Sequence, residues 1–316
     1  MHSGGIIRSM HDRLISVITP VYDRRQELEK CLKSMSGQFY PEFEVLVVDD
    51  YSTIEIRDIV DGMNDTRFRY VRNDKNGGPY NARTLGWEMC KGEYIVNLDS
   101  DWEAFPWMLQ RIVHYFEETP EADAVTGMFL RSNDSRVPVR VRNGTRLVTP
   151  RDVATLPAAS DCIAGVRRSV IDAWLERARE YFALEAHAWL TFSLKYSQLY
   201  VDEPWALYHI DSPNRVSPLL TGRNARHVND CLLFLQDYGE VLRTVPRKDI
   251  DDLLIWISKI FLRNHHWEGF RECLAYMRVR QMDVQKVFVG LIISGLFSVL
   301  RPFLTKRGTT EEIVWI

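Results

Sequence analysis

Extended apolar runs are scarce in this sequence. One charge-free stretch, Val287 to Leu300, is shorter than the roughly 20 residues a spanning helix needs, and Met1 to Arg13 has no long apolar run, so neither a membrane span nor a secretory leader is expected. Cysteine is also sparse. The five residues Cys31, Cys90, Cys162, Cys231 and Cys273 are odd in number and widely scattered, which excludes zinc-type pairs and a disulfide scaffold and points to reduced core thiols in a cytoplasmic protein. Net charge is only -3, and no Lys/Arg stripe with interleaved aromatics runs along the chain, so no nucleic acid partner is expected. Repeats and low-complexity segments are absent too. What remains is an ordinary globular composition, 46% apolar and 26% charged over 316 residues, enough for one large α/β domain with a smaller appendage.

The organisation follows from periodicity. Leu14 to Thr19 is a short β-branched run stopped by Pro20, as in a strand buried in a parallel sheet. Arg24 to Met35 then carries Leu28, Cys31, Leu32 and Met35 on one helical face, and Phe43 to Val48 makes a second buried strand ending in Asp49-Asp50. The rhythm repeats with a helix over Ile54 to Met63, a strand over Phe68 to Val71, a loop at Asn76-Gly77-Gly78, a helix from Pro79 to Cys90 and a strand over Tyr94 to Leu98. Four such alternations predict a Rossmann-like, doubly wound, mostly parallel sheet whose ligands gather beyond the carboxyl ends of its strands. Both acidic pairs, Asp49-Asp50 and Asp99/Asp101, stand at such ends. From Val125 to Pro150 the pattern loosens, and a helix follows over Val170 to Glu180. After residue 220 only helices are expected: Cys231 to Leu242, Ile250 to Leu262 and Trp267 to Met277. The expected division is a 1–13 extension, a 14–220 catalytic domain and a 221–316 helical region.

Asp99-Ser100-Asp101 is the triplet with the most chemistry. Two carboxylates at i and i+2, where a buried strand opens into a loop, can address one hard cation together with a ribose or phosphate. A nucleoside diphosphate leaves readily only when Mn²⁺ or Mg²⁺ neutralises the charge that builds on it. Alone, such a triplet is more often a solvated turn.

Its context is Thr19-Pro20-Val21-Tyr22-Asp23-Arg24, then Val47-Val48-Asp49-Asp50-Tyr51-Ser52-Thr53, then Asn76-Gly77-Gly78 through Asn81-Ala82-Arg83, then Leu98-Asp99-Ser100-Asp101. In that order the four motifs resemble the family 2 glycosyltransferases of the GT-A fold, from about Leu14 to Ser217. The resemblance implies an inverting, metal-dependent transfer of one sugar from a nucleoside-diphosphate donor, UDP-linked, to a hydroxyl acceptor on a glycan, a lipid-linked glycan or a small molecule. It implies that Thr19, Pro20 and Tyr22 border the base, that Asp49 and Asp50 bind base and ribose, that Arg83 faces the nucleotide, that Asp99 serves the ribose and a metal-bound water, and that Asp101 ligates the metal. A carboxylate can accept an imide N–H, an aromatic can flank a base, and an arginine can hold a phosphate. The sequence departs from the pattern at Tyr51, where the family usually has a small residue, often glycine.

Inversion needs a base for the acceptor hydroxyl. In the family an acidic pair precedes an apolar helix that leads to a strand and a Glu-Pro turn; counting back from Asp202-Glu203-Pro204 puts Glu185 at the usual aspartate and Leu184 at its acidic neighbour. The alternatives are that Glu185 is a helix-start acid stabilised by the helix dipole, or that His187 is the base. Asp161 is a further carboxylate for the acceptor. In the closing segment, Tyr208 to Ser217, His209 and Asp211 stand where the family has a basic residue and a histidine, and either can complete the metal shell. Trp102, beside the metal loop, is expected as a wall of the donor or acceptor pocket.

The Gln-x-x-Arg-Trp motif of the family's membrane-embedded polymerases is missing, which favours single-sugar transfer. Val287 to Leu300, followed by Arg301, Lys306 and Arg307, reads either as a helix packed on its own domain or in a homodimer, or as a peripheral contact with the inner face of a membrane. Two other readings stay open. One is a nucleotidyltransferase, although Pro20-Val21-Tyr22-Asp23 stands where such enzymes carry a glycine-rich basic loop. The other is a silent sugar-nucleotide-binding module, given Leu184.

Overall fold

A computed structural model describes residues 13–132, 146–148, 164–178, 180, 195–209, 225–244, 248–280 and 282. The chain forms two compact units, Met1–Pro218 and Leu219–Ile316.

The first unit is built on β1 (Ile15–Val21), β2 (Phe43–Asp49), β3 (Phe68–Arg72) and β4 (Tyr94–Asn97), joined through α1 (Arg25–Ser36), α2 (Arg57–Asp61) and α3 (Pro79–Met89). β1, β2 and β4 are buried along their whole length, while edge strand β3 is mostly only part-buried. A continuous β-branched run marks a strand covered on both faces, and these strands carry such runs. Leu28, Cys31, Leu32 and Met35 of α1 form the buried stripe that their spacing predicts. All four strands pair in parallel, in the order β3-β2-β1-β4.

Beyond β4 the sheet is mixed, so its parallel character is confined to this half and to one later pairing. β8 (Gly165–Arg167) lies antiparallel between β4 and β6 (Ala124–Arg131). β6 runs parallel to β9 (Gln198–Tyr208), and both β5 (Trp102–Ala104) and β7 (Arg146–Val148) pair antiparallel with β9.

Two elements differ from the expectations. Glu203-Pro204, expected as a turn, lies inside β9, and the register slips on either side of Met128, the β6 partner of Pro204. A proline has no N–H for the ladder, so an irregularity beside it is the natural accommodation. α4 (Met108–Glu118) was not anticipated, although Met108, Leu109, Ile112, Val113 and Phe116 make a regular buried stripe. α5 (Arg168–Ala178) follows β8 and brings Trp174 against Tyr80 and Trp87 of α3.

The second unit is helical where described: α6 (Ala225–Thr244), α7 (Lys248–Arg263) and α8 (Trp267–Val279). Cys231, Phe234, Leu235, Leu254, Ile257, Phe261, Cys273 and Met277 are buried there. His266 caps α8, its Nδ1 accepting from Gly269 N at 3.1 Å. No described helix is long and apolar enough to cross a membrane, and residues 287–300 lie outside the described residues. Cys31, Cys90, Cys231 and Cys273 are buried free thiols.

Candidate active site

The carboxyl ends of β2, β1 and β4 lie side by side, the place where an open α/β sheet holds its ligands. Three loops leave these ends, and hydrogen bonds join the first two. Asp50 N donates to Val21 O at 2.9 Å. Asp23 N donates to Ser52 Oγ at 3.0 Å, and Thr53 N donates to Asp23 Oδ1 at 2.7 Å. Asp23 and Tyr51 hold φ of 51° and 67°, a left-handed conformation that costs a residue with a side chain about 1–2 kcal/mol. Tyr51 thus holds a left-handed backbone where the resemblance implies a small residue, often glycine.

The acidic pair is engaged with the protein. Asp49 is fully buried; its Oδ1 accepts from Ser52 N at 2.8 Å, and its Oδ2 accepts from the Tyr70 hydroxyl at 2.6 Å and from Arg72 Nη1 at 3.0 Å. Asp50 Oδ1 accepts from Asn73 Nδ2 at 2.7 Å and from Gly77 N at 2.9 Å, while its Oδ2 accepts from Gly78 N at 2.7 Å. Burial pushes the Asp50 carboxyl above its ordinary value, with the bonds from Gly77, Asn73 and Gly78 pulling the other way. Asp49 therefore shapes its own loop, and Asp50 fixes the glycine loop that opens α3, where Gly78 has φ 88°. Thr19 is wholly buried, and Pro20 pairs with Val48 inside the sheet. Tyr22 is 36% exposed, and its phenol is raised by burial first and then by the negative charges of Asp23 and Asp50.

The third loop carries the triplet. Arg83, buried on α3, donates through Nη2 to both Asp99 oxygens at 2.8 and 3.0 Å. Asp101 lies 3.0 Å from Arg24 Nη1. The β5–β9 pairing carries the end of β9 alongside the triplet, so that His209 N donates to Asp101 O at 3.0 Å. The His209 imidazole Nε2 lies 2.6 Å from Glu103 Oε1. Trp102, expected as a pocket wall, is buried instead; it stacks on Tyr208 with centroids 4.8 Å apart and meets Phe129 edge-on at 4.8 Å.

Asp99, Asp101 and His209 supply the oxygen and imidazole donors that suit Mn²⁺ or Mg²⁺. Among the described residues, however, no three acidic, histidine or cysteine side chains converge as a metal site. Asp161, Glu185 and Asp211 lie outside the described residues. Sequence reasoning missed Tyr70, Arg72, Asn73, Arg24 and Glu103. Arg72 stands opposite Asp49 only through the β2–β3 register, which chain order does not display.

The family description "Glycosyl transferase family 2" matches residues 16–175, half of the chain and all three loops. The chain belongs to glycosyl transferase family 2. Among its relatives, the glycosyltransferase GlyG of Streptococcus pneumoniae serotype 4 is 33% identical over 124 residues, which are 39% of this chain and 41% of GlyG. The chain spans 41% to 49% of the length of the first curated relatives it matches. Among solved structures, S. aureus TarS 1-349 in complex with UDP-GlcNAc superposes with a TM-score of 0.56 at 20% identity, covering 83% of this chain and 72% of that one. The complex of the same protein with UDP gives 0.55 at 19%, covering 84% and 90%. The family's GT-A fold is therefore the fold of the first unit.

Proposed function

We propose that the protein is an inverting, metal-dependent glycosyltransferase that moves a single sugar from a nucleoside-diphosphate donor, UDP-linked, to a hydroxyl acceptor. The observation that carries this reading is the crest formed by the ends of β1, β2 and β4. There Asp50 organises the glycine loop, Arg83 orients Asp99, and His209 is bonded to the backbone of Asp101. At this crest the buried Asp101 carboxylate lies beside the Arg24 guanidinium, a pairing of charges that suits a diphosphate near a hard cation. UDP-GlcNAc and UDP are the ligands named for the TarS structures that share the fold; the uridine donor of this chain is our reading.

In this scheme Asp101, with His209 or Asp211, holds Mn²⁺ or Mg²⁺, which would neutralise the charge developing on the departing diphosphate. Glu185 takes the proton of the acceptor hydroxyl. The acceptor oxygen forms its bond to the anomeric carbon from the face opposite the diphosphate, and the bond from that carbon to the diphosphate oxygen breaks. The electron pair leaves on the diphosphate. Asp99, fixed by Arg83, is left to address the ribose. Asp49 acts through the loop it braces, and Asp161 serves the acceptor.

The test is to incubate the protein with Mn²⁺ and a panel of sugar nucleotides and to measure free nucleoside diphosphate against pyrophosphate. Diphosphate release that disappears in both Asp101→Ala and Glu185→Ala supports the reading. Pyrophosphate release indicates a nucleotidyltransferase, and tight binding without turnover a silent binding module; either result overturns it.

A further inference from the structure

We infer that Tyr51 is a base-stacking residue of this site, a flat platform on which the nucleobase of the donor lies. The inference rests on the functional reading above and adds a residue and a role to it. Tyr51 has two properties that do not belong together in a residue that only closes a turn. Its backbone is in the left-handed region, φ 67°, where a glycine costs nothing and a tyrosine is strained. Its side chain nevertheless gains little burial, since it is 49% exposed. Strain kept without packing in return points to function.

The surroundings say which function. The Arg72 guanidinium lies over the Tyr51 ring, 5.1 Å from its centroid. That guanidinium is itself fixed, with Nη1 on Asp49 Oδ2 at 3.0 Å and Nη2 on Ser52 O at 2.8 Å. A planar fork bonded through its edge presents its face for stacking. One face of the ring is thus held by a cation, and the exposed surface is left for a second flat group. The position matters as well: Tyr51 directly follows Asp49-Asp50 at the carboxyl end of β2. Its loop is tied to the one bearing Tyr22 by the Asp23–Ser52 and Asp23–Thr53 bonds. An aromatic heterocycle entering there meets a pre-oriented ring, and such a ring serves any base because every base has a π face.

The measurement is calorimetric titration of the full chain with UDP, GDP and inorganic pyrophosphate in the presence of Mn²⁺, for the unaltered protein, Tyr51→Gly and Tyr51→Phe, together with their melting temperatures. Expected is a Tyr51→Gly protein that melts no lower than the parent, because the strain is gone, yet binds UDP about tenfold more weakly, the size of one base–aromatic stack. Pyrophosphate, which has no base, binds both equally, and Tyr51→Phe binds UDP like the parent. Should the glycine variant melt lower, Tyr51→Asn, which tolerates the left-handed region, repeats the comparison. UDP affinity within twofold of the parent in the ring-less variants, or an equal loss in Tyr51→Phe, overturns the inference alone. An unaltered protein that binds neither UDP nor GDP overturns the functional reading and this inference with it.

Discussion

Gly78 is the residue on which the loop before α3 turns. It precedes Pro79 at the first position of α3, with φ 88° and ψ 170°, a combination almost reserved for glycine. Its N–H is held by Asp50. A β-carbon there strains the backbone whatever room surrounds it, so Gly78→Ala is expected to lower stability in urea by about 1–3 kcal/mol and to weaken UDP binding by displacing the Asp50 contacts. Gly37→Ala is the matched control, since Gly37 has φ -85° and a β-carbon there meets only ordinary contacts; an equal loss in both would remove the special role of Gly78. At this scale the sequence was legible in part. Asp99-Ser100-Asp101 and Asp49-Asp50 show themselves because acids at the end of an apolar strand are visible in chain order. The hydrogen bonds that engage Asp49 were not visible, because Tyr70 and Arg72 reach it from a neighbouring strand. Arg24 and Glu103 meet Asp101 and His209 only once the sheet is assembled.

Among elements, β9 brings His209 alongside Asp101, and it is tied to α4 by a charged cluster. Arg111 Nε donates to Glu203 Oε2 at 2.8 Å, the Tyr115 hydroxyl donates to Glu203 Oε1 at 2.9 Å, and Arg111 Nη2 bonds the same oxygen. The Arg111 guanidinium is the main reason the Glu203 carboxyl lies below its ordinary value, with burial opposing and Tyr115 assisting. A carboxyl lowered in the folded state contributes stability above the ordinary glutamate value and loses it as pH falls through the folded one. Glu203→Gln should therefore be less stable than the parent by about 1 kcal/mol at pH 7, a modest figure because the pair is partly solvated. The gap should narrow as pH falls through the folded Glu203 value, which lies below the ordinary glutamate one; urea unfolding at pH 7 and across the acid range measures it, and a pH-independent gap would show that charge is not the cause. Strands β1, β2 and β4 were legible because a buried parallel strand is a continuous apolar run. β5, with three residues, has no period to read, and a proline inside β9 argues against a strand until its partner is seen.

For the molecule as a whole, the question is whether the two compact units unfold together. The hydrophobic cluster around β1, β2 and α1 draws only on residues up to Ala206 among its buried members, while α6, α7 and α8 bury their own set. Each unit is of domain size, and units with separate cores unfold as separate transitions. Every described residue assigned to the nucleotide lies in Met1–Pro218, so the proposed function predicts that UDP with Mn²⁺ stabilises that unit alone. At one hundred times its dissociation constant a ligand contributes about 2.7 kcal/mol, which for a unit of this length raises the midpoint by about 5–10 °C. Scanning calorimetry of the full chain should show two transitions. UDP with Mn²⁺ should raise one, Gly78→Ala should lower that same one, and a chelator should reverse the part of the rise that depends on the metal. A single transition that moves as a whole would mean that the helical unit and the nucleotide unit share one cooperative core; two transitions that both ignore UDP would remove the nucleotide from the crest of the sheet.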